Sequence, residues 1–134
     1  MKFKEKINTW IFDLDNTLYS ADSGIFQQVH RLMGEFISNN LNMEISEAKK
    51  LQSKYYKQHG TTLRGMMDNH GVDPDYFLDE VHRLDYSIVG PNQLLNDELE
   101  KLEGRKIIYT NANEKHVLDV LKRINLSDYF DEIF

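Results

Sequence analysis

The chain has 134 residues, no cysteine and a formal charge of −6. That excludes a disulfide scaffold and a thiolate metal centre, and it argues against a nucleic-acid polymer as partner, because such interfaces are basic. Forty per cent hydrophobic and 11% aromatic residues describe a globular domain, long enough to bury roughly two thirds of its unfolded surface.

Residues 1–9 include Glu5 and lack the apolar centre of a leader, and no later run approaches the length of a membrane span. The expectation is a cytoplasmic protein with no membrane partner. The first strand is read over Ile7 to Leu14. Trp10, Ile11 and Phe12 are consecutive and apolar, which predicts a strand covered on both faces, as in parallel sheets. The run ends in Asp13 and Asp15. Residues two apart on a strand face one way, so two carboxylates would share a small volume and repel. A divalent cation such as Mg²⁺ would relieve that repulsion; ordinary turn chemistry is the alternative, since Asp, Asn and Thr are common turn residues.

From Ala21 to about Tyr86 the apolar spacing is helical. Ser23-Gly24 opens a helix with Ile25, Phe26, Val29, Leu32, Met33, Phe36 and Ile37 on one face, weakened at Asn39-Asn40. A second helix starts near Ser46, capped by Ser46 or Glu44, and runs to Lys57 before Gly60. A third spans Thr62 to His70 before Gly71. The fourth begins at Asp73-Pro74, with Asp as cap and Pro in the first turn, and continues through Val81. Of the adjacent Tyr55 and Tyr56, one is expected in the core, although the pair could offer a stacking face. Four helices inserted after a strand tip suggest a lid, because open α/β sheets bind ligands beyond the carboxyl ends of their strands; a decoration without contact to the site is the other reading.

Pro91 to Leu102 is a further helix, ended by Gly104. Arg105 to Tyr109 forms the second strand, Thr110 to Asn113 its loop, Glu114 to Ile124 a helix capped by Asn113, and Tyr129 to Phe134 the approach to a third strand. This alternation specifies a parallel α/β sheet. A phosphate at the tip of the second strand could accept hydrogen bonds from Thr110 and from the first amides of the following helix.

Asp13-Leu14-Asp15-Asn16-Thr17 after one strand, and Thr110 after another, resemble the first two signatures of the haloacid-dehalogenase-like (HAD) phosphatases. The stretch from His59 to Met66, His70-Gly71-Val72, Val81 to Tyr86, Thr110 to Asn113 and Asp128 to Phe134 looks like the pyrimidine 5′-nucleotidase branch. The resemblance implies an α/β fold with a HAD-like, Rossmann-like parallel sheet: residues 1–20 and 87–134 as a C-terminally incomplete core, and 21–86 as a helical cap inserted after the first strand. It implies a Mg²⁺-dependent phosphomonoester hydrolase acting on nucleoside monophosphates. Asp13 would be the nucleophile, forming an aspartyl-phosphate, and Asp15 the acid and base. Thr110 and Asn111 would hold the phosphate. The metal would sit on the Asp13 carboxylate and the main-chain carbonyl of Asp15. Arg64 is a candidate clamp for phosphate or base, or else a surface charge. His59, His70 and His82 read as packing or capping residues, and His30 and His116 carry no signal.

Two family features, a lysine near the nucleophile and a further acidic pair, have no match in this sequence. That leads to an expectation of weak or absent turnover in the chain alone and of self-association through an uncovered sheet edge. The alternatives are a phosphatase of another small phosphate ester, or a non-catalytic remnant that binds a phosphate metabolite or a protein.

Overall fold

A computed structural model describes residues 6–134; most of the opening stretch weighed as a leader lies outside them. Two compact units emerge, one drawing on the chain up to Ile25 and on Tyr86–Phe134, the other on Phe26–Asp85. Among the described residues no helix is long and apolar enough to cross a membrane.

The first unit is built on a three-stranded parallel sheet, in the order β1 (Thr9–Phe12), β2 (Arg105–Ile108), β3 (Glu132–Ile133). Phe12 pairs with Ile108, which pairs in turn with Ile133. Because the strands run the same way, their carboxyl ends and the loops that follow collect on one edge. Helices α5 (Gln93–Lys101) and α6 (Glu114–Arg123) belong to this unit. Asn92 caps α5 through Leu95 N–H, and Asn113 caps α6 through His116 N–H, each satisfying a donor left open by the helix start. Val117, Val120 and Leu121 of α6 join Ile107 and Ile108 among the buried side chains, with Leu14, Leu18, Leu99, Ile124 and Leu126.

The first strand differs from expectation in two ways. It is four residues long, not eight, and it is covered on one face only: Ile11 is 70% exposed. Phe12 meets Phe130 edge-on at 5.7 Å, and Trp10 donates its indole N–H to Glu103 O at 3.0 Å, both from the alternate face. As the edge strand of the described sheet, β1 has a neighbour on one side only. An apolar run does not reveal how many neighbours the strand will have.

The second unit holds most of α1 (Ile25–Leu41) and all of α2 (Ile45–His59), α3 (Thr62–His70) and α4 (Pro74–Val81). Helix α1 runs through Asn39-Asn40 and ends at Leu41, with Asn42 in the left-handed region at φ 52°. Glu44 stands at the start of α2 without a side-chain capping bond, whereas Thr61 caps α3 and Asp73 caps α4. Phe36, Ile37, Ala48, Tyr55, Met66, Phe77 and Val81 form the core. Tyr55 is buried and Tyr56 is exposed. Helices α2 and α3 touch at Gly65, where a Cβ would overlap Tyr55 Cβ and Cγ, so glycine permits the close approach.

Candidate active site

Asp13 follows the last residue of β1, and Thr110 stands two residues past the end of β2. The bond from Tyr109 N–H to Phe12 O, 2.9 Å, ties these two tips together. Thr110 N–H also donates to Phe134 O at 2.8 Å, so the tip of β2 is held from both sides.

The strand has ended before Asp13, so strand alternation does not orient the two acids. A turn does. Leu14 O accepts from Thr17 N–H at 3.2 Å and from Leu18 N–H at 3.0 Å, and Asn16 takes the left-handed conformation at φ 59° that closes it. Asparagine tolerates that conformation better than most residues. Leu14 and Leu18 point into the core and anchor the turn, leaving the polar residues between them toward the surface.

The two carboxylates have different surroundings. Asp13 is exposed; its Oδ1 accepts from Leu14 N–H at 3.0 Å and its Oδ2 from Thr17 Oγ1 at 3.3 Å. A carboxylate offers about four lone-pair sites, so this one keeps acceptor capacity toward solvent. The Asp15 side chain is 34% exposed and is gripped from the protein side. Its Oδ1 accepts from Tyr19 OH at 2.5 Å and lies 2.8 Å from His116 Nε2.

His116 is 1% exposed, and its Nδ1 lies 2.7 Å from Tyr86 OH. Tyr86 is held in turn by Arg123 at the far end of α6: Nε donates to Tyr86 O (3.1 Å) and Val89 O (2.7 Å), and Nη2 to Ser87 O (3.1 Å). One helix thus secures both the imidazole and the phenol against it. Burial pushes the Tyr19 phenol far above its ordinary pKa, helped by its hydrogen bond to Asp15 and by that carboxylate's charge. Burial does the same for Tyr86, with added pressure from the charges of Asp119 and Asp15. Both phenols keep their protons at any neutral pH and remain available as donors.

On β2, Thr110 Oγ1 accepts from Ala112 N–H at 3.1 Å, which leaves the hydroxyl proton to be donated elsewhere. Asn111 is exposed beside it. Lys106 directs its ammonium to Leu102 O at 2.7 Å. In the helical unit, Arg64 is exposed and paired with Asp68 at 3.1 Å, and Asp68 also meets His59 Nδ1 at 3.4 Å. His70 Nε2 contacts Tyr55 OH at 2.7 Å.

Among the described residues no group of three or more His, Cys, Asp or Glu is placed to hold a metal ion. The donors at the β1 tip are nevertheless carboxylate and carbonyl oxygens, the type Mg²⁺ takes, and Asp13 has room to accept more. They fit a cation that uses few protein ligands and completes its shell with water and substrate oxygen.

Tyr19, Tyr86 and His116 are not legible as site residues in the sequence. For His116 a signal existed: it stands at the third position of a helix capped by Asn113, on the same stripe as Val117, Val120 and Leu121. That stripe pointed it inward, but not toward Asp15, 101 residues away.

The family model described as haloacid dehalogenase-like hydrolase matches residues 10–134. The chain is also similar to phosphate metabolism protein 8 of Saccharomyces cerevisiae, 26% identical over 136 residues. That match covers 92% of this chain and 42% of the yeast protein, so the chain spans about two fifths of the length of that curated protein.

Proposed function

We propose that this chain, which belongs to the haloacid dehalogenase-like hydrolases, is part of a Mg²⁺-dependent phosphatase of nucleoside monophosphates, of the pyrimidine 5′-nucleotidase type. The carrying observation is the division of labour at the tip of β1. An exposed carboxylate, Asp13, is steadied by Leu14 N–H and Thr17, and a second, Asp15, is fixed from behind by Tyr19 and His116. Thr110 stands at the adjoining strand tip with a hydroxyl proton to give.

An Asp13 oxygen attacks phosphorus, the bond from phosphorus to the nucleoside oxygen breaks, and Asp15 delivers its proton to that leaving oxygen. Asp15 then takes a proton from the water that attacks the aspartyl-phosphate, which returns Asp13 and releases inorganic phosphate. Thr110, Asn111 and the amides beginning α6 hold the phosphoryl oxygens. The Asp13 carboxylate and the Asp15 main-chain carbonyl would hold Mg²⁺, which would supply the positive charge that lets an anionic nucleophile approach an anionic phosphate. Arg64, paired with Asp68 on α3, is the candidate clamp for a phosphate or base on the helical unit.

The test is phosphate release by the intact protein from UMP, CMP, AMP and several sugar phosphates, with Mg²⁺ and with EDTA. The expected result is Mg²⁺-dependent release, fastest from UMP and CMP. Faster release from sugar phosphates overturns the nucleotidase assignment, and release from none overturns the phosphatase.

A further inference from the structure

We propose that His116 is a positioning residue for proton transfer: its Nε2–H holds the Asp15 carboxyl group in a single orientation, and Tyr86, by donating to Nδ1, leaves the ring hydrogen on Nε2. This rests on reading Asp15 as the acid and base of the site.

The ring is 1% exposed, so it cannot meet substrate, and both its nitrogens lie within hydrogen-bond distance of a partner. The direction of each bond follows from its neighbours. Tyr86, holding its proton, donates to Nδ1, and the ring hydrogen therefore resides on Nε2 and is given to Asp15. Tyr19 OH donates to the same Asp15 oxygen. With two donors on one oxygen, the carboxyl plane cannot turn without breaking both bonds, and an acid locked in this way needs no reorganisation when the proton moves.

The supports are themselves held. Asn113 fixes the first turn of α6 through His116 N–H, and Arg123 fixes the Tyr86 turn through three carbonyls. The imidazole is therefore pinned by its own helix, and its partner phenol by that helix's other end.

The experiment has a kinetic arm and a spectroscopic arm. In the intact protein His116→Ala is expected to lower kcat roughly 10- to 100-fold, with KM within about twofold of wild type. His116→Gln, whose amide nitrogen reaches the place of Nε2, should recover most of that loss, whereas the shorter His116→Asn should not. A wild-type kcat in His116→Ala, or no difference between Gln and Asn, overturns the inference. If His116→Ala does not fold, the comparison of Gln with Asn decides.

Nitrogen-15 NMR of the His116 ring should find hydrogen on Nε2 in wild type. Hydrogen on Nδ1 in wild type overturns the inference. Loss of turnover in Asp15→Asn with a normal His116→Ala would defeat the positioning role alone. If wild type hydrolyses no phosphate ester, the functional reading fails, and the role of His116 in transfer fails with it whatever the NMR finds.

Discussion

Replacing Asp13 by Asn in the intact protein is expected to lower kcat for phosphate release by roughly 10⁴-fold or more while leaving the fold in place. The amide is neutral and cannot form the acyl phosphate, so the chemical step is lost. Structural cost is small because Asp13 is exposed and both of its contacts survive: the amide oxygen can accept from Leu14 N–H, and Thr17 Oγ1 can accept from the new NH₂ group. Release assays alongside circular dichroism check this. More than a tenth of wild-type turnover in a folded Asp13→Asn protein would move the nucleophile elsewhere.

Phe77→Ala is expected to destabilise the helical unit by about 3–5 kcal/mol, the usual cost of removing a buried phenyl group and leaving a cavity. Phe77 is fully buried and meets the Phe36 ring edge-on at 4.9 Å, at the centre of a core that also includes Met66, Tyr55 and Val81. Hydrogen exchange is the suitable readout, because a chain with two units need not unfold in one step. Amides of α2, α3 and α4 should exchange roughly a hundredfold faster or more; unchanged protection there would mean that the unit's stability lies elsewhere.

Short-range chemistry explains which elements could be read from the sequence. Asp73-Pro74 marks the start of α4 because an aspartate cap and a first-turn proline need only their immediate neighbours, and Asp73 does accept from Asp75 and Tyr76 N–H. Thr62–His70 is legible for the same reason: Gly71, in the left-handed conformation, ends the helix.

Features that depend on distant neighbours were not. Ile11 has the composition of a core strand residue, yet its exposure depends on whether another element covers its face of the sheet. Asp13 and Asp15 were read as strand neighbours on one face, but a turn closed by Asn16 orients them and gives each its own set of donors. His116 is the clearest case. Its burial follows from the apolar stripe of α6, but its partners come from Tyr86 and Asp15, on segments that only the parallel sheet and the α6 clamp bring alongside.

Capture of the covalent intermediate bears most directly on the functional claim. The intact protein would be mixed with a nucleoside monophosphate and Mg²⁺, quenched in acid through the first turnover, and its peptides mapped by mass. The expected finding is one phosphoryl group on the peptide carrying Asp13, absent from Asp13→Asn. A phosphoryl group on any other residue, or steady turnover with no labelled peptide at any time point, would contradict it.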